Sequence, residues 1–140
     1  MSMRYLTQGE KENSRRLYEC CFPEDSQKFV DYYYQEKCRE NEIAVIEENG
    51  KIISMVHANP FTVSCCGTQA EVHYIVAVAT DPEYRRRGYM RQLMQQVLRD
   101  CRNRGEVFSF LMPADPAYYE PLGYRYWNNQ YVWEIPKEQE

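Results

Sequence analysis

The sequence predicts an α/β (α+β) fold, helices packed on a mixed sheet, and three stretches carry that expectation. Asn49-Gly50 separates two β-rich runs, and this dipeptide suits a tight type I′ hairpin whose central residues both need positive φ. Residues 75–79, IVAVA, are continuously apolar, as in a strand covered on both faces. Met90, Leu93, Met94, Val97, Leu98 and Cys101 recur three and four residues apart, which places them on one face of a helix.

Taken in order, Thr7 and Glu10 have capping-box spacing, and Leu17, Tyr18 and Cys21 then supply an apolar helical face that Pro23 closes. Asp25 or Ser26 can cap a second helix carrying Phe29, Tyr32, Tyr33, Tyr34 and Cys38. The Asn49-Gly50 hairpin follows, and after Cys66-Gly67 a third strand spans residues 71–80. The amphipathic helix from Met90 ends with Arg102 and Arg104 near its carboxyl end and Gly105 as terminator. VFSFLM is a further strand, DPAYYEPLGY a short helix and turn, and YRYWNNQYVWEIP a closing hairpin. The expected order is α-α-β-β-β-α-β-α-β-β.

A chain of 140 residues suits one domain, residues 1–140, and no repeat, low-complexity tract or Gly/Ser linker divides it. A formal net charge of −4 argues against general nucleic-acid or anionic-membrane binding, while allowing one local basic pocket. Cys20, Cys21, Cys38, Cys65, Cys66 and Cys101 show no Cys-x-x-Cys spacing, so a zinc or redox site has weak support and no metal is expected. With no apolar signal core at the amino terminus and no run of membrane-spanning length, free thiols in the cytoplasm are the plain reading.

The densest positive charge, Arg85-Arg86-Arg87, falls where the apolar strand ends and the amphipathic helix begins. A helix start has backbone N–H groups without internal partners, and the helix dipole makes that end an anion site. Gly88 lets a ligand approach the backbone, and the arginines add charge beside those amides. The combination suits a phosphate or pyrophosphate. Neither G-x-x-x-x-G-K-[ST] nor G-x-G-x-x-G is present; the spacing is [QR]-x-x-G-x-[GA]-like, filled as RRRGYM.

Between a buried strand and an amphipathic helix, this pattern resembles the GNAT superfamily of acetyl-CoA-dependent N-acetyltransferases. The likeness covers nearly the whole chain and implies a mixed, mostly antiparallel sheet with a splayed central strand pair and helices on both faces. It implies acetyl-CoA as cosubstrate, with the pantetheine arm in the opening beside Val78 and Thr80. Amides of Arg86, Arg87, Gly88, Tyr89, Met90 and Arg91 would cradle the pyrophosphate, with Arg85 and Arg86 near phosphates. Met90 departs from the family's usual Gly or Ala, which bears on local packing more than on the amides. Residues 78–88 also fit V-x-x-x-P-x-x-R-R-x-G, and Pro113, Tyr119, Gly123 and Tyr124 fit a later P-x-x-x-x-x-Y-x-x-x-G-[YWF] segment. Both segments resemble the amino-terminal acetyltransferase domain of enhanced-intracellular-survival (Eis)-type proteins. The chain then reads either as a free-standing domain or as the amino-terminal part of a longer Eis-type protein.

Acetyl transfer needs a neutral amine and a proton for the departing thiolate. An amine of pKa about 10.4 is neutral in roughly one molecule in 2500 at pH 7, a cost of about 4.6 kcal/mol. Tyrosine stays protonated at neutral pH and can serve the thiolate. The resemblance implies Tyr119 as general acid, with Tyr118 the local alternative. For the base, Tyr74 titrates too high, and strand alternation puts Glu71 and His73 on the face opposite Val78. His57 is a further candidate, although a structural role suits either histidine better. A small-molecule or lysine-type amine is the expected acceptor; neither nucleic acid nor membrane is expected as partner, and a homo-oligomer is compatible with the sequence. The opposing reading is a non-catalytic acyl-CoA-binding or protein-interaction module on the same fold.

Overall fold

In the computed structural model, which describes residues 2–113 and 115–125, a five-stranded sheet runs in sequence order β1-β2-β3-β4-β5. Its strands are β1 (Met3–Tyr5), β2 (Glu42–Glu48), β3 (Lys51–Cys65), β4 (Thr68–Thr80) and β5 (Ser109–Leu111). The first three junctions are antiparallel, and β4 meets β5 in parallel. Helices α1 (Arg15–Cys21) and α2 (Gln27–Glu36) cover one face, and α3 (Tyr89–Asn103) covers the other. The expected mixed, mostly antiparallel sheet with helices on both faces is the observed fold.

Local chemistry explains the elements that the sequence marks strongly. Asn49 and Gly50 have φ of 52° and 77°, which closes β2 onto β3 with Glu48 opposite Lys51. Cys66 and Gly67 repeat the device at 52° and 80° between β3 and β4. Ser26 rather than Asp25 caps α2, accepting from the Phe29 amide at 3.1 Å. At the end of α3, Gly105 adopts φ 86° and the Glu106 amide reaches back to the Cys101 carbonyl at 3.1 Å.

Three expectations change. A short strand, β1, precedes the first helix, and the Thr7 box opens a 3-10 helix, Gln8–Ser14, before α1. The expected helix after β5 is two 3-10 turns, Pro116–Tyr118 and Glu120–Leu122. In β4, Ile75, Ala77 and Ala79 are buried but Val76 and Val78 are only half-buried. The stretches buried on both faces are Ile43 to Ile46 of β2 and Ile52 to Asn59 of β3. The closing hairpin lies outside the described residues beyond Arg125.

The two faces differ in substance. Leu93, Met94, Val97 and Cys101 of α3 meet Ala44, Ile46, Ile53, Val56 and Ile75 in an apolar layer. Under α1 and α2, Leu17, Val30, Ile43 and Met55 share the core with tyrosine hydroxyls and a fully buried His57. His57 Nδ1 pairs with the Tyr33 hydroxyl at 2.8 Å, and its Nε2 lies 3.3 Å from Met55 Sδ. Tyr34 pairs with Ser14 at 2.7 Å. Burial pushes the His57 pKa down to about 3, so the ring is neutral and built into the core.

That burial makes folding sensitive to acid. The unfolded chain takes up the His57 proton near pH 6.5, whereas the folded chain refuses it until about pH 3. Stability therefore falls as pH drops between those values, by at most about 1.4 kcal/mol per pH unit from this group. Urea unfolding from pH 7 to pH 4 should show a shallower decline for His57→Gln than for the natural chain; equal slopes would refute the assignment.

Candidate active site

The site begins with a fault in β4. Met55 of β3 faces Ala79 and His57 faces Val76, so two β4 residues, Ala77 and Val78, stand opposite Val56. This is a β-bulge, and Ala77 takes φ 52° to make it. The extra residue resets the side-chain alternation. Ile75 and Val78 both pack on the α3 layer, while Ala77 and Ala79 pack under α1 and α2. His73, expected opposite Val78, thus shares its face, since parity fails across a bulge.

Past Ile75, β4 and β5 part. Among the described residues no strand pairs with β4 from Val76 to Thr80 on that side, so its backbone edge is open there. Thr80 is fixed from the other side by a 2.9 Å hydroxyl pairing with Ser54. Next comes Asp81, 6% exposed, whose carboxylate caps a 3-10 turn, Pro82–Tyr84, by accepting from the Glu83 amide at 3.1 Å. Lys51 and Arg16 lie 3.3 and 3.8 Å from its other oxygen. The Glu83 amide first, and then Lys51, holds the Asp81 carboxyl below its usual range. Sequence reasoning missed this anchor, though Asp before Pro was a readable turn signal.

The arginines follow. Arg85 Nε donates to the Thr80 carbonyl at 3.1 Å, Arg87 lies 5.1 Å from the Tyr84 ring centre, and Arg86 takes φ 65°. Among the described residues none of Arg85, Arg86, Arg87 and Arg91 is in an ion pair, whereas Arg4, Arg15 and Arg104 are held by carboxylates. All four are exposed. Gly88 caps α3 at φ 82°, a conformation that strains any L side chain, and no protein atom lies within 4 Å of where a Cβ would stand. The Gln92 amide bonds the Gly88 carbonyl at 3.0 Å, so the Tyr89, Met90 and Arg91 amides precede the helix ladder. Met90 is half-buried against the α3 layer, and the departure from a small residue is absorbed by packing.

Tyr119 lies between the two 3-10 turns, half-buried, with its ring against the same layer as Val78, Tyr84, Tyr89 and Met90. Tyr124 meets it edge-on at 6.2 Å. Among the described residues its hydroxyl has no hydrogen-bond partner, and burial raises its pKa, so it holds a proton at neutral pH. Tyr118 is 66% exposed and lacks that setting. Of the other candidates, Glu71 is exposed, His73 is engaged with Glu106 at 2.7 Å, and Tyr74 stacks on Phe110 with its pKa raised by burial. Tyr33 and Tyr34 are core residues, and Tyr32 is exposed.

An open strand edge, a turn whose arginines have no carboxylate partner among the described residues, the first amides of α3, and a proton-bearing tyrosine on one layer suit an extended anionic ligand with a reactive end. The model of the acetyltransferase (GNAT) domain matches residues 2–127. No curated protein matches the sequence significantly. A conserved Enterococcus faecalis V583 protein described as a probable N-acyltransferase superposes with TM-score 0.79 at 22% identity, over 88% of this chain and 32% of that one. The chain thus spans about a third of that protein's length. A predicted acetyltransferase of Clostridium acetobutylicum, solved with acetyl-CoA, gives TM-score 0.77 at 13% identity, covering 99% and 97%. Arabidopsis thaliana glucosamine-6-phosphate N-acetyltransferase gives 0.72 at 17%, covering 96% and 98%. At these identities the likeness is one of fold.

The Asp81 anchor is testable by itself. Asp81→Asn should lower stability at pH 7 by about 1–3 kcal/mol, the range for a hydrogen bond to a charged group. The natural chain should lose this advantage progressively as pH falls below about 4, where the unfolded chain takes up the proton before the folded carboxylate does. Urea unfolding at pH 7 and pH 3 measures both values, and a constant difference would exclude the charged anchor.

Proposed function

This chain belongs to the acetyltransferase (GNAT) domain family, and we propose that it transfers the acetyl group of acetyl-CoA to a primary amine by direct attack. The observation that carries the reading is the edge of β4, unpaired from Val76 to Thr80 among the described residues, running into a helix start whose arginines have no acidic partner among those residues. The residues present fit the cosubstrate. Val78 and Thr80 offer backbone groups along that edge for the pantetheine arm. The empty space beside Gly88 and the amides of Arg86, Arg87, Gly88, Tyr89, Met90 and Arg91 suit the pyrophosphate, with Arg85 and Arg86 adding charge.

Bound acetyl-CoA supplies an acyl group activated as a thioester. Tyr119 is the general acid: its hydroxyl has no hydrogen-bond partner among the described residues and is protonated at neutral pH, as a thiolate leaving group requires. His57 is excluded as base by full burial and a lowered pKa. The amine enters deprotonated through a water chain or a desolvating pocket rather than through either histidine. Likeness of residues 78–88 and 113–124 to the Eis-type domain supports aminoglycosides and lysine side chains as first acceptors to test. The free thiols at Cys20, Cys21, Cys38 and Cys101 fit a cytoplasmic setting. One observation favours a non-catalytic acyl-CoA-binding module instead: both histidines are already engaged within the fold.

Two measurements separate these readings. Calorimetry should show acetyl-CoA binding at least about tenfold weaker in Gly88→Val, because a β-branched residue strains at φ 82° and fills the approach; unchanged affinity would remove the turn as the pyrophosphate site. A thiol-release screen over polyamines, aminoglycosides, amino acids and peptides should find an acceptor. With it, Tyr119→Phe should lower kcat by about 10²-fold or more with little change in KM. Full turnover in that variant ends the general-acid role, and silence with every amine supports the binding module.

A further inference from the structure

At the far end of α3 the fold gathers three ligand-type side chains that no sequence spacing connects. His73 comes from β4, Cys101 from the last turn of α3, and Glu106 from the segment leading into β5. One atom from each lies within 4.8 Å of the others, with His73 Nδ1 and Glu106 Oε1 only 2.7 Å apart. Cys101 is 4% exposed, and the His73 and Glu106 side chains are 14% and 8% exposed. We infer that His73, Cys101 and Glu106 form a binding site for a thiophilic divalent cation of the zinc class.

Ligand chemistry and geometry agree. Sulfur, imidazole nitrogen and carboxylate oxygen together select zinc-like ions over calcium or magnesium. Around a tetrahedral zinc such atoms stand about 3.4–3.6 Å apart, given its usual bond lengths. The observed cluster needs adjustments of about an ångström: Glu106 Oε1, 2.7 Å from the imidazole, backs away, and separations that reach up to 4.8 Å close around the ion. Once Cys101 releases its thiol proton to solvent, thiolate and carboxylate cancel the ion's two charges, as a mostly buried site requires.

The surrounding contacts already orient the ligands. Arg104 holds Glu106 through Oε2 at 3.1 Å, which leaves Oε1 toward the cluster, and its Nη2 donates toward Cys101 Sγ at 3.4 Å. Arg104 is itself fixed by Glu42 at 2.9 and 3.0 Å. Hydrogen bonds of this kind to ligand atoms tune metal sites. A groove of about 720 Å³ opens beside the cluster, lined in part by Glu40, Glu42, Glu71, His73, Arg104 and Glu106. It provides an acidic entry path and a water for the fourth position.

The site is distinct from the acyl-transfer centre. Fifteen residues of α3 separate its two ends, about 22 Å of helix. His73 stands opposite Ser109 at the start of the short β4–β5 pairing. A cation there ties α3 to the three paired residues from which the two strands diverge, and it acts as a clamp on the fold.

Cobalt(II) is the probe, added to the full chain with thiols kept reduced. One equivalent should give the thiolate charge-transfer and d–d bands of four-coordinate cobalt, displaced by zinc. Cys101→Ser should abolish the charge-transfer band, while Cys20→Ser, Cys21→Ser and Cys66→Ser keep it. His73→Gln, at a less buried position, should weaken affinity at least about tenfold with circular dichroism unchanged, which covers the case of Cys101→Ser failing to fold. Zinc should raise Tm in the natural chain and not in His73→Gln. Absence of the band, its survival in folded Cys101→Ser, or full affinity in His73→Gln overturns the site.

Discussion

The site depends on one backbone departure, the left-handed turn at Ala77. A non-glycine residue at φ 52° costs about 1–3 kcal/mol, and it persists only because the surroundings determine it. β3 pairs with β4 on both sides of the fault, and Ala77 itself is buried under α1 and α2. Two consequences follow. The bulge turns Val78 onto the α3 layer with Ile75, and it bends β4 where β5 ceases to pair. Alanine is the side chain small enough to take this turn inside a packed core. The extra residue falls just past Ile75, the last β4 residue that pairs with β5.

The same strand end then handles its charge by an indirect route. Asp81, buried and held by Lys51, Arg16 and the Glu83 amide, sets the turn geometry without neutralising the arginines that follow it. Arg85 and Arg87 rest instead on the Thr80 and Glu83 carbonyls and on the Tyr84 ring. Neutral acceptors position a guanidinium and leave its charge uncompensated. A carboxylate partner at this point would compete with any anionic ligand, as Glu10 and Glu47 do around Arg4.

What was legible in the sequence was what is local. The Asn49-Gly50 turn, the apolar face of α3, its Gly105 terminator and the turn at residues 85–88 each rest on residues within a few positions of one another. β1 was missed because three residues carry no periodicity, and it exists through pairing with Ala44, Val45 and Ile46. The bulge was missed because Ala77 looks like any apolar strand residue; its φ is imposed by the register of β3. His57 was readable as a candidate and the tyrosines as residues of a helix, but the burial that His57 shares with Tyr33 and Tyr34 is a tertiary fact. The His73, Cys101 and Glu106 cluster is invisible to spacing for the same reason, since 28 residues separate the first two.

An acidic protein with one basic turn also discriminates among anions by length. The net charge of −4 spreads over the whole surface, and at physiological salt each exposed charge is felt over about 8 Å. Four exposed arginines and the first amides of α3 lie within three residues of Gly88 along the chain, with Glu83 the exposed carboxylate of the preceding turn. A polynucleotide extending further would leave this cluster for a chain of net charge −4, which offers its later phosphates less than the first ones gain. On the proposed reading, the arginines suit a short polyanion, and the strand edge beside them suits the neutral, extended remainder of such a ligand.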